Sequence, residues 1–82
     1  MILAEIEIRL TEIFKDILDL NALSLVRNTT ASDIEEWDSL AHISLLIAIE
    51  KEFNIKLSLI EVEQLQNVGD MLDLIYLKTS KA

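Results

Sequence analysis

The sequence lacks several residue types on which small proteins commonly depend. Its 82 residues include no cysteine, no proline, one glycine and one histidine. Without cysteine there is no disulfide framework and no thiolate, and a single histidine cannot make a zinc site of the His and Cys type. We therefore expect no metal site and a fold that depends on apolar packing, for which 51% hydrophobic residues are available.

The length and the charge restrict the number of domains and the class of partner. A chain of 82 residues fits a single domain spanning 1–82. Its net charge of −8 repels nucleic acid and anionic lipid and attracts basic protein surfaces. The start of the chain does not have the pattern of a signal peptide, and no uncharged run reaches the roughly 18 residues of a membrane span. We expect a cytoplasmic monomer with no nucleic-acid partner and no stable membrane insertion.

Apolar residues at steps of three and four, with almost no glycine or proline, predict an all-α fold. A first amphipathic helix is expected from about Ile2 to Asp19. The stretch from Leu20 to Trp37 reads as a long loop with room for one short helical turn. Asp38 is a good N-cap, because its carboxylate can accept a hydrogen bond from the first turn of a second helix that runs through Phe53.

Two further caps mark the end of the chain. Ser58 and Glu61 have the spacing of a capping box, which predicts a short third helix over Leu59 to Leu65. Asn67 opens a last helix, whose apolar stripe consists of Val68, Met71, Leu72, Ile75 and Tyr76. The expected architecture is a four-helix bundle with three main helices, a short third helix and a long first loop.

The second helix carries apolar residues on two sides. The row that would pack against the other helices consists of Ala41, Leu45, Ile49 and Phe53. The next stripe is also apolar and consists of Leu40, Ile43 and Ile47. The rest of so short a chain can hardly surround this helix, so we expect the second stripe to be an exposed docking surface.

Ser39 lies at the first helical position, directly after the Asp38 cap. Unpaired N–H groups and the positive end of the helix dipole favour an anionic substituent there, so a phosphate ester on the hydroxyl would be stabilised. From spacing alone, the simpler interpretation is that Ser39 only helps to start the helix.

Three segments of the sequence bear on whether Ser39 carries a phosphate ester. In chain order they are Asp38-Ser39-Leu40, the run from Ile49 to Ile55, and Val68-Gly69-Asp70. They resemble the acyl carrier protein family, which has Asp-Ser-Leu as its phosphopantetheine site at the start of its second helix. The second segment is similar to the run that ends that helix, and the third to the opening of the last helix. The resemblance is closest from Trp37 to Ile75.

The resemblance implies an acyl-carrier-type bundle that does no chemistry itself. A phosphopantetheinyl transferase would link 4′-phosphopantetheine from coenzyme A to Ser39, and Asp38, Leu40 and Trp37 would lie at the cofactor. Acyl-loading and acyl-transfer enzymes would act on thioesters held by the arm. The implied partner-binding residues are Leu40, Ile43, Ser44, Ile47, Glu50 and Lys51. The implied acyl-pocket residues are Leu45, Ile49, Phe53 and Leu72.

Two departures distinguish the chain from fatty-acid carriers of the family. Trp37 stands where those carriers usually have glycine; its ring either shields the attachment site, meets a partner, or packs the loop onto the bundle. Ala41, Ser44 and Lys51 occupy positions that are commonly acidic in those carriers, which weakens attraction to basic enzyme surfaces. We expect a specialised carrier with dedicated partners in a secondary, polysaccharide or lipid-modifying pathway.

Other functions remain open at this point. Peptidyl and D-alanyl carriers share the arm and differ in cargo, and an unmodified helical module would use the apolar stripe to bind a partner helix. A hydrolase would use Ser39 and His42, which share one helix face, but the chain offers no Gly-rich turn to supply oxyanion donors. We expect His42 to be a polar residue at the edge of the docking surface.

Overall fold

The computed structural model describes residues 2–80, which contain α-helices and no β-strand. The helices are α1 (Leu3–Ile17), α2 (Ser39–Phe53), α3 (Leu59–Glu63) and α4 (Val68–Ser80), and a 3-10 turn at Ala31–Asp33 interrupts the long loop between α1 and α2. These elements confirm the predicted all-α fold, including the short turn in the loop. The expected domain of 1–82 extends past the described residues at both ends.

One face of each long helix forms the core, with α1 packed against both α2 and α4. In α1, the fully buried side chains follow at steps of four: Ile6, Leu10 and Phe14. Of the α2 row predicted to pack, Leu45, Ile49 and Phe53 are buried, and Ala41 is half-buried and packs against the core. The large buried residues of α4 are Val68, Met71, Leu72 and Ile75.

Two details of the predicted helices were wrong. Tyr76 does not belong to the packed stripe of α4: it is 47% exposed, because Ile75 takes the core-facing position next to it. The third helix ends at Glu63 and not at Leu65, because a tight turn closes it, in which the N–H of Gln64 donates to the carbonyl of Glu61 and that of Leu65 to the carbonyl of Val62.

Polar residues end the first two helices where glycine would be usual. Asp19 follows α1 and Asn54 caps α2, with φ of 56° and 54°. Aspartate and asparagine tolerate this left-handed conformation better than other residues with a side chain. Behind Asn54, the N–H of Ile55 donates to the carbonyl of Glu50 at 3.1 Å. The two helices therefore end sharply without a glycine at either end.

The long loop is fixed to the start of α4. The N–H of Val68 donates to the carbonyl of Thr29 at 2.9 Å, and that of Gly69 to the carbonyl of Arg27 at 2.8 Å. Loop carbonyls thus satisfy N–H groups that the first turn of a helix leaves unpaired. A Cβ on Gly69 would lie 3.0 Å from that Arg27 oxygen, and Arg27 also pairs with Asp73 at 2.7 Å. The chain's one glycine allows this close approach.

The predicted capping box at the start of α3 is present, and its Glu61 also forms an ion pair with Lys78 of α4. The hydroxyl of Ser58 accepts from the N–H of Glu61 at 3.2 Å, and the carboxylate of Glu61 accepts from the N–H of Ser58 at 2.9 Å. The same carboxylate lies 2.9 Å from the ammonium group of Lys78. These donors stabilise the charged form and lower the pKa of Glu61 to about 2.

We expect acid to weaken the attachment of α3. The folded pKa of Glu61 lies below its ordinary value of 4.5, so its contribution to stability is complete above that pH and is lost as the pH falls towards 2. Thermal melting of wild type and Glu61→Gln should therefore differ at neutral pH and converge in acid. Glu63→Gln, in the same helix but exposed, is the control. A difference that persists unchanged in acid would contradict the assignment.

Candidate functional site

The start of α2 is capped as the sequence predicts. The Oδ1 atom of Asp38 accepts a hydrogen bond from the N–H of Ala41 at 2.8 Å, and the carbonyl of Asp38 accepts from the N–H of His42 at 2.9 Å. Within residues 2–80, the N–H groups of Ser39 and Leu40 donate no hydrogen bond, as is normal for a first helical turn. Two free backbone donors therefore lie at the predicted attachment residue.

Ser39 has the properties that a phosphate ester requires. Its side chain is exposed, and in the described part of the chain its hydroxyl makes no hydrogen bond that would have to be broken. The free N–H groups and the positive end of the helix dipole stabilise an anion at this position. The neighbouring Asp38 carboxylate is negative, but its hydrogen bond to the helix offsets part of that charge. The residues at this position fit a phosphopantetheine group.

The second apolar stripe of α2 is exposed, as predicted. Leu40, Ile43 and Ile47 are 75%, 56% and 49% exposed. At about 1.5 Å of rise per residue they form a row about 10 Å long that begins beside Ser39, and Lys51 continues the row one turn further and is exposed. This row is called the docking stripe below. Its binding of partner proteins remains a prediction.

The other two predicted partner residues on α2 are less accessible. Ser44 is half-buried. Glu50 is half-buried as well, and its Oε2 atom accepts a hydrogen bond from the N–H of Leu57 at 2.8 Å. The Glu50 carboxylate therefore fixes the segment between α2 and α3, a contact that the sequence analysis did not foresee.

The four residues expected to line an acyl pocket lie in the core. Leu45, Ile49, Phe53 and Leu72 are at most 7% exposed and belong to one hydrophobic cluster. A groove of about 520 Å³ lies against α1, the long loop and α4, and of these four residues it includes only Leu72. The contact of the four side chains with an acyl chain remains a prediction.

The Trp37 ring packs the loop onto the bundle, which is one of the interpretations left open above. It is 5% exposed, and its edge meets the Phe14 ring with centroids 4.9 Å apart and planes at 89°. Its Nε1–H donates to Nδ1 of His42 at 3.1 Å, and the two rings lie nearly parallel at 6.0 Å. A contact between Trp37 and the phosphopantetheine arm is untested.

Sequence reasoning missed the hydrogen bond between Trp37 and His42. A signal for it exists, because the two residues occupy the positions before and after the Asp38 cap at which a hydrophobic staple forms. His42 is half-buried, and burial, which disfavours the charged imidazolium, lowers its pKa. The Nδ1 atom is thus already engaged, and within residues 2–80 no hydrogen bond joins Ser39 to His42, which removes support from the hydrolase alternative.

The described residues contain neither a metal cluster nor a membrane-spanning helix. Nowhere between residues 2 and 80 do three His, Cys, Asp or Glu side chains come together as metal ligands. None of the helices formed by these residues is long and apolar enough to cross a membrane.

Comparison with known proteins identifies the class that this fold and site define. The family model described as the phosphopantetheine attachment site matches residues 9–75, which include all of α2 and most of the chain. The chain therefore belongs to the family of phosphopantetheine attachment domains. This membership favours a carrier over an unmodified interaction module.

Relatives within that class include acyl carrier proteins. The chain is 32% identical over 76 residues to the acyl carrier protein of Buchnera aphidicola, covering 93% of this chain and 96% of that one. It is 29% identical over 73 residues to that of Porphyromonas gingivalis, covering 89% and 94%. The solution NMR structure of a holo acyl carrier protein from Geobacter metallireducens is 43% identical, with a TM-score of 0.81 over 85% of this chain and 80% of that one.

The function of the chain is that of an acyl carrier protein. It carries acyl groups as thioesters on covalently attached 4′-phosphopantetheine and presents them to acyl-handling enzymes. These relatives favour acyl cargo over the peptidyl and D-alanyl alternatives.

Proposed function

We propose that the phosphopantetheine arm of this acyl carrier protein is attached to Ser39. The observation that carries the proposal is the exposed hydroxyl at the first position of α2, free of hydrogen bonds and next to the unpaired N–H groups of Ser39 and Leu40. A phosphopantetheinyl transferase binds coenzyme A, which supplies the arm. The Ser39 oxygen forms a bond to the phosphorus that carries the phosphopantetheine, and the bond from that phosphorus to the bridging oxygen of the diphosphate breaks. The nucleotide part of coenzyme A departs with the bridging oxygen, and the hydroxyl proton is released.

The residues of the chain hold and present the arm, and in this proposal they catalyse no reaction. When bound, the arm supplies the thiol that carries the acyl group. Asp38 keeps the first turn of α2 capped, and the docking stripe gives the transferase and the acyl-loading and acyl-transfer enzymes an apolar surface beside Ser39. Among residues 2–80 the buried apolar side chains form one hydrophobic cluster, which supports one domain. We propose that this domain acts as a monomer in the cytoplasm.

The absence of cysteine gives this proposal a sharp test. Because the chain has no thiol of its own, any thiol titrated after incubation with coenzyme A and a broad-specificity transferase, followed by removal of small molecules, belongs to the arm. We expect no thiol before the reaction, one per chain after it, and an intact mass that increases by one arm. No thiol and no mass change, when a reference carrier protein is fully converted, would contradict the proposal.

We further propose that the carrier serves a specialised pathway, because α2 presents an exposed cation at Lys51. Enzymes that bind fatty-acid carriers through basic surfaces should recognise the double variant Ser44→Glu/Lys51→Glu better than wild type. An exposed ion pair contributes about 0.2–1 kcal/mol, so two new pairs should raise kcat/KM roughly two- to thirtyfold, and the gain should disappear at high salt.

The control for this experiment is Lys56→Glu, which makes the same Lys to Glu change at an exposed position outside α2. Its kcat/KM with the same enzymes should stay near the wild-type value. Equal gains in both variants would mean that net charge and not the surface of α2 is recognised, and no gain in either would contradict the argument for a specialised pathway.

A further inference from the structure

Trp37 and His42 flank Ser39 in the sequence and meet across the start of α2. The indole Nε1–H donates to Nδ1 of His42 at 3.1 Å, while the edge of the same indole contacts Phe14 of α1. The pair thereby connects the long loop, α1 and α2 at the one helix end that carries the attachment residue. The function proposed above assigns no role to this connection.

The pair controls how the chain enters α2. Trp37 immediately precedes the Asp38 cap and His42 lies one turn after it, which are the positions that fix the entry angle of a chain into a helix. The N–H of Trp37 also donates to the carbonyl of Ile34 at 3.1 Å. Ser39 lies between the two paired residues, at the first position of α2, so the contact fixes the helical turn that carries its hydroxyl.

The indole is nearly fully buried, so it depends on its acceptor. Trp37 is 5% exposed, and a buried N–H that loses its partner destabilises the arrangement that leaves it unpaired. Only the neutral imidazole, with its proton on Nε2, can accept at Nδ1; the imidazolium donates at both nitrogens. The connection is therefore sensitive both to substitution and to protonation of His42.

We propose that Trp37 and His42 are positioning residues for the modification of Ser39, and that their hydrogen bond holds the first turn of α2 in the form that the transferase recognises. The inference rests on the proposed attachment at Ser39. It deepens that proposal, because it makes efficient modification depend on two residues that do not receive the arm.

Burial favours the neutral form of His42. It disfavours the charged imidazolium and so lowers the pKa of His42 from its ordinary value of 6.5. Within two residues of Phe14 and of Trp37, the charged side chains are Glu12, Lys15 and Asp16 of α1, Glu35 and Glu36 of the loop, and the cap Asp38. The neutral imidazole therefore predominates at neutral pH, and the hydrogen bond is lost only as the pH falls below 6.5 through the lowered pKa.

Three variants separate positioning from packing. His42→Leu removes the acceptor, and Trp37→Phe removes the donor but keeps a ring against Phe14. His42→Asn places an amide oxygen close to the position of Nδ1 and does not titrate. Each is compared with wild type for kcat and KM in the transferase reaction with coenzyme A, for thermal stability, and, where Trp37 is present, for the fluorescence of this single tryptophan.

We expect His42→Leu and Trp37→Phe to raise the KM for the carrier roughly three- to tenfold, the loss that corresponds to one hydrogen bond, and still to reach complete modification. His42→Asn should remain within about twofold of wild type, as expected for a retained hydrogen bond. In a pH series, the kcat/KM of wild type should fall relative to that of His42→Asn as the pH drops below 6.5, together with a change in wild-type fluorescence.

Wild-type kinetics in both His42→Leu and Trp37→Phe would overturn the inference and leave the pair a purely structural contact. If either variant fails to fold, the pH series is the test. The inference is then overturned if the kcat/KM of wild type and that of His42→Asn change with pH in the same way. A wild-type chain that takes up no arm counts instead against the attachment at Ser39, so failures of the two proposals are distinguishable.

Discussion

Replacing Phe14 by alanine is expected to lower the free energy of unfolding of the protein more than any other substitution discussed. Phe14 is fully buried at the end of the four-step row of α1, and the centroid of its ring lies 4.9 Å from that of Trp37 in a T-shaped contact. Truncating a buried phenylalanine costs about 3–5 kcal/mol. A domain of this size is stable by only about 4–12 kcal/mol, at roughly 0.05–0.15 kcal/mol per residue. The variant therefore loses a large share of its free energy of unfolding.

Urea unfolding, followed by circular dichroism and by the fluorescence of Trp37, measures this loss. The matched control is Ile8→Ala in the same helix, because Ile8 is 68% exposed and an exposed substitution changes stability by no more than about 0.5 kcal/mol. A Phe14→Ala variant as stable as the control would show that α1 does not pack through this row.

Replacing Ser39 by alanine is expected to abolish addition of the arm, because alanine has no oxygen with which to form the phosphoester. The fold should not change: the Ser39 side chain is exposed and makes no hydrogen bond in the described part of the chain, so the free energy of unfolding should stay within about 0.5 kcal/mol of wild type. Intact mass after incubation with coenzyme A and transferase gives the result, and melting shows that the variant is folded.

Ser44→Ala is the control for Ser39→Ala, because it removes a hydroxyl from the same helix. It should accept one arm, as wild type does. Arm addition to Ser39→Ala at the wild-type rate would mean that another hydroxyl is the attachment site.

The sequence predicts the helices well because their signals are local. The Asp38 cap and the box formed by Ser58 and Glu61 each depend on residues within one helical turn, and both form as expected. The end of α3 was less predictable, because the turn at Gln64 carries no distinctive residue. Apolar residues at steps of three and four indicate which residues form the core, but the pattern alone does not exclude Tyr76 from it. Tyr76 is exposed because the packed face of α4 extends to Ile75 and not to the residue beside it.

The contacts that fix the site were harder to predict, because they join distant segments. The long loop is joined to α4 by a hydrogen bond of 2.8 Å from the N–H of Gly69 to the carbonyl of Arg27. No local sequence pattern predicts this pairing. Trp37 illustrates the same difficulty: the sequence left three roles open for its ring, and only the path of the loop places that ring against Phe14 and His42.

The position of Ser39 in the sequence does not by itself identify it as the attachment residue. A serine after an N-cap usually does no more than help to start a helix, and the same geometry suits a phosphate ester. The family match over residues 9–75 supplies the chemistry that position alone does not, and the exposed, unpaired hydroxyl of Ser39 makes it the residue to test.

Localising the arm tests the central claim most directly. The chain is incubated with coenzyme A and transferase, cleaved, and sequenced by tandem mass spectrometry. The serines that compete as acceptors are Ser24, Ser32, Ser39, Ser44, Ser58 and Ser80. We predict a single arm, carried by Ser39; an arm on any other residue, or an unmodified chain beside a fully converted reference carrier, would contradict the account.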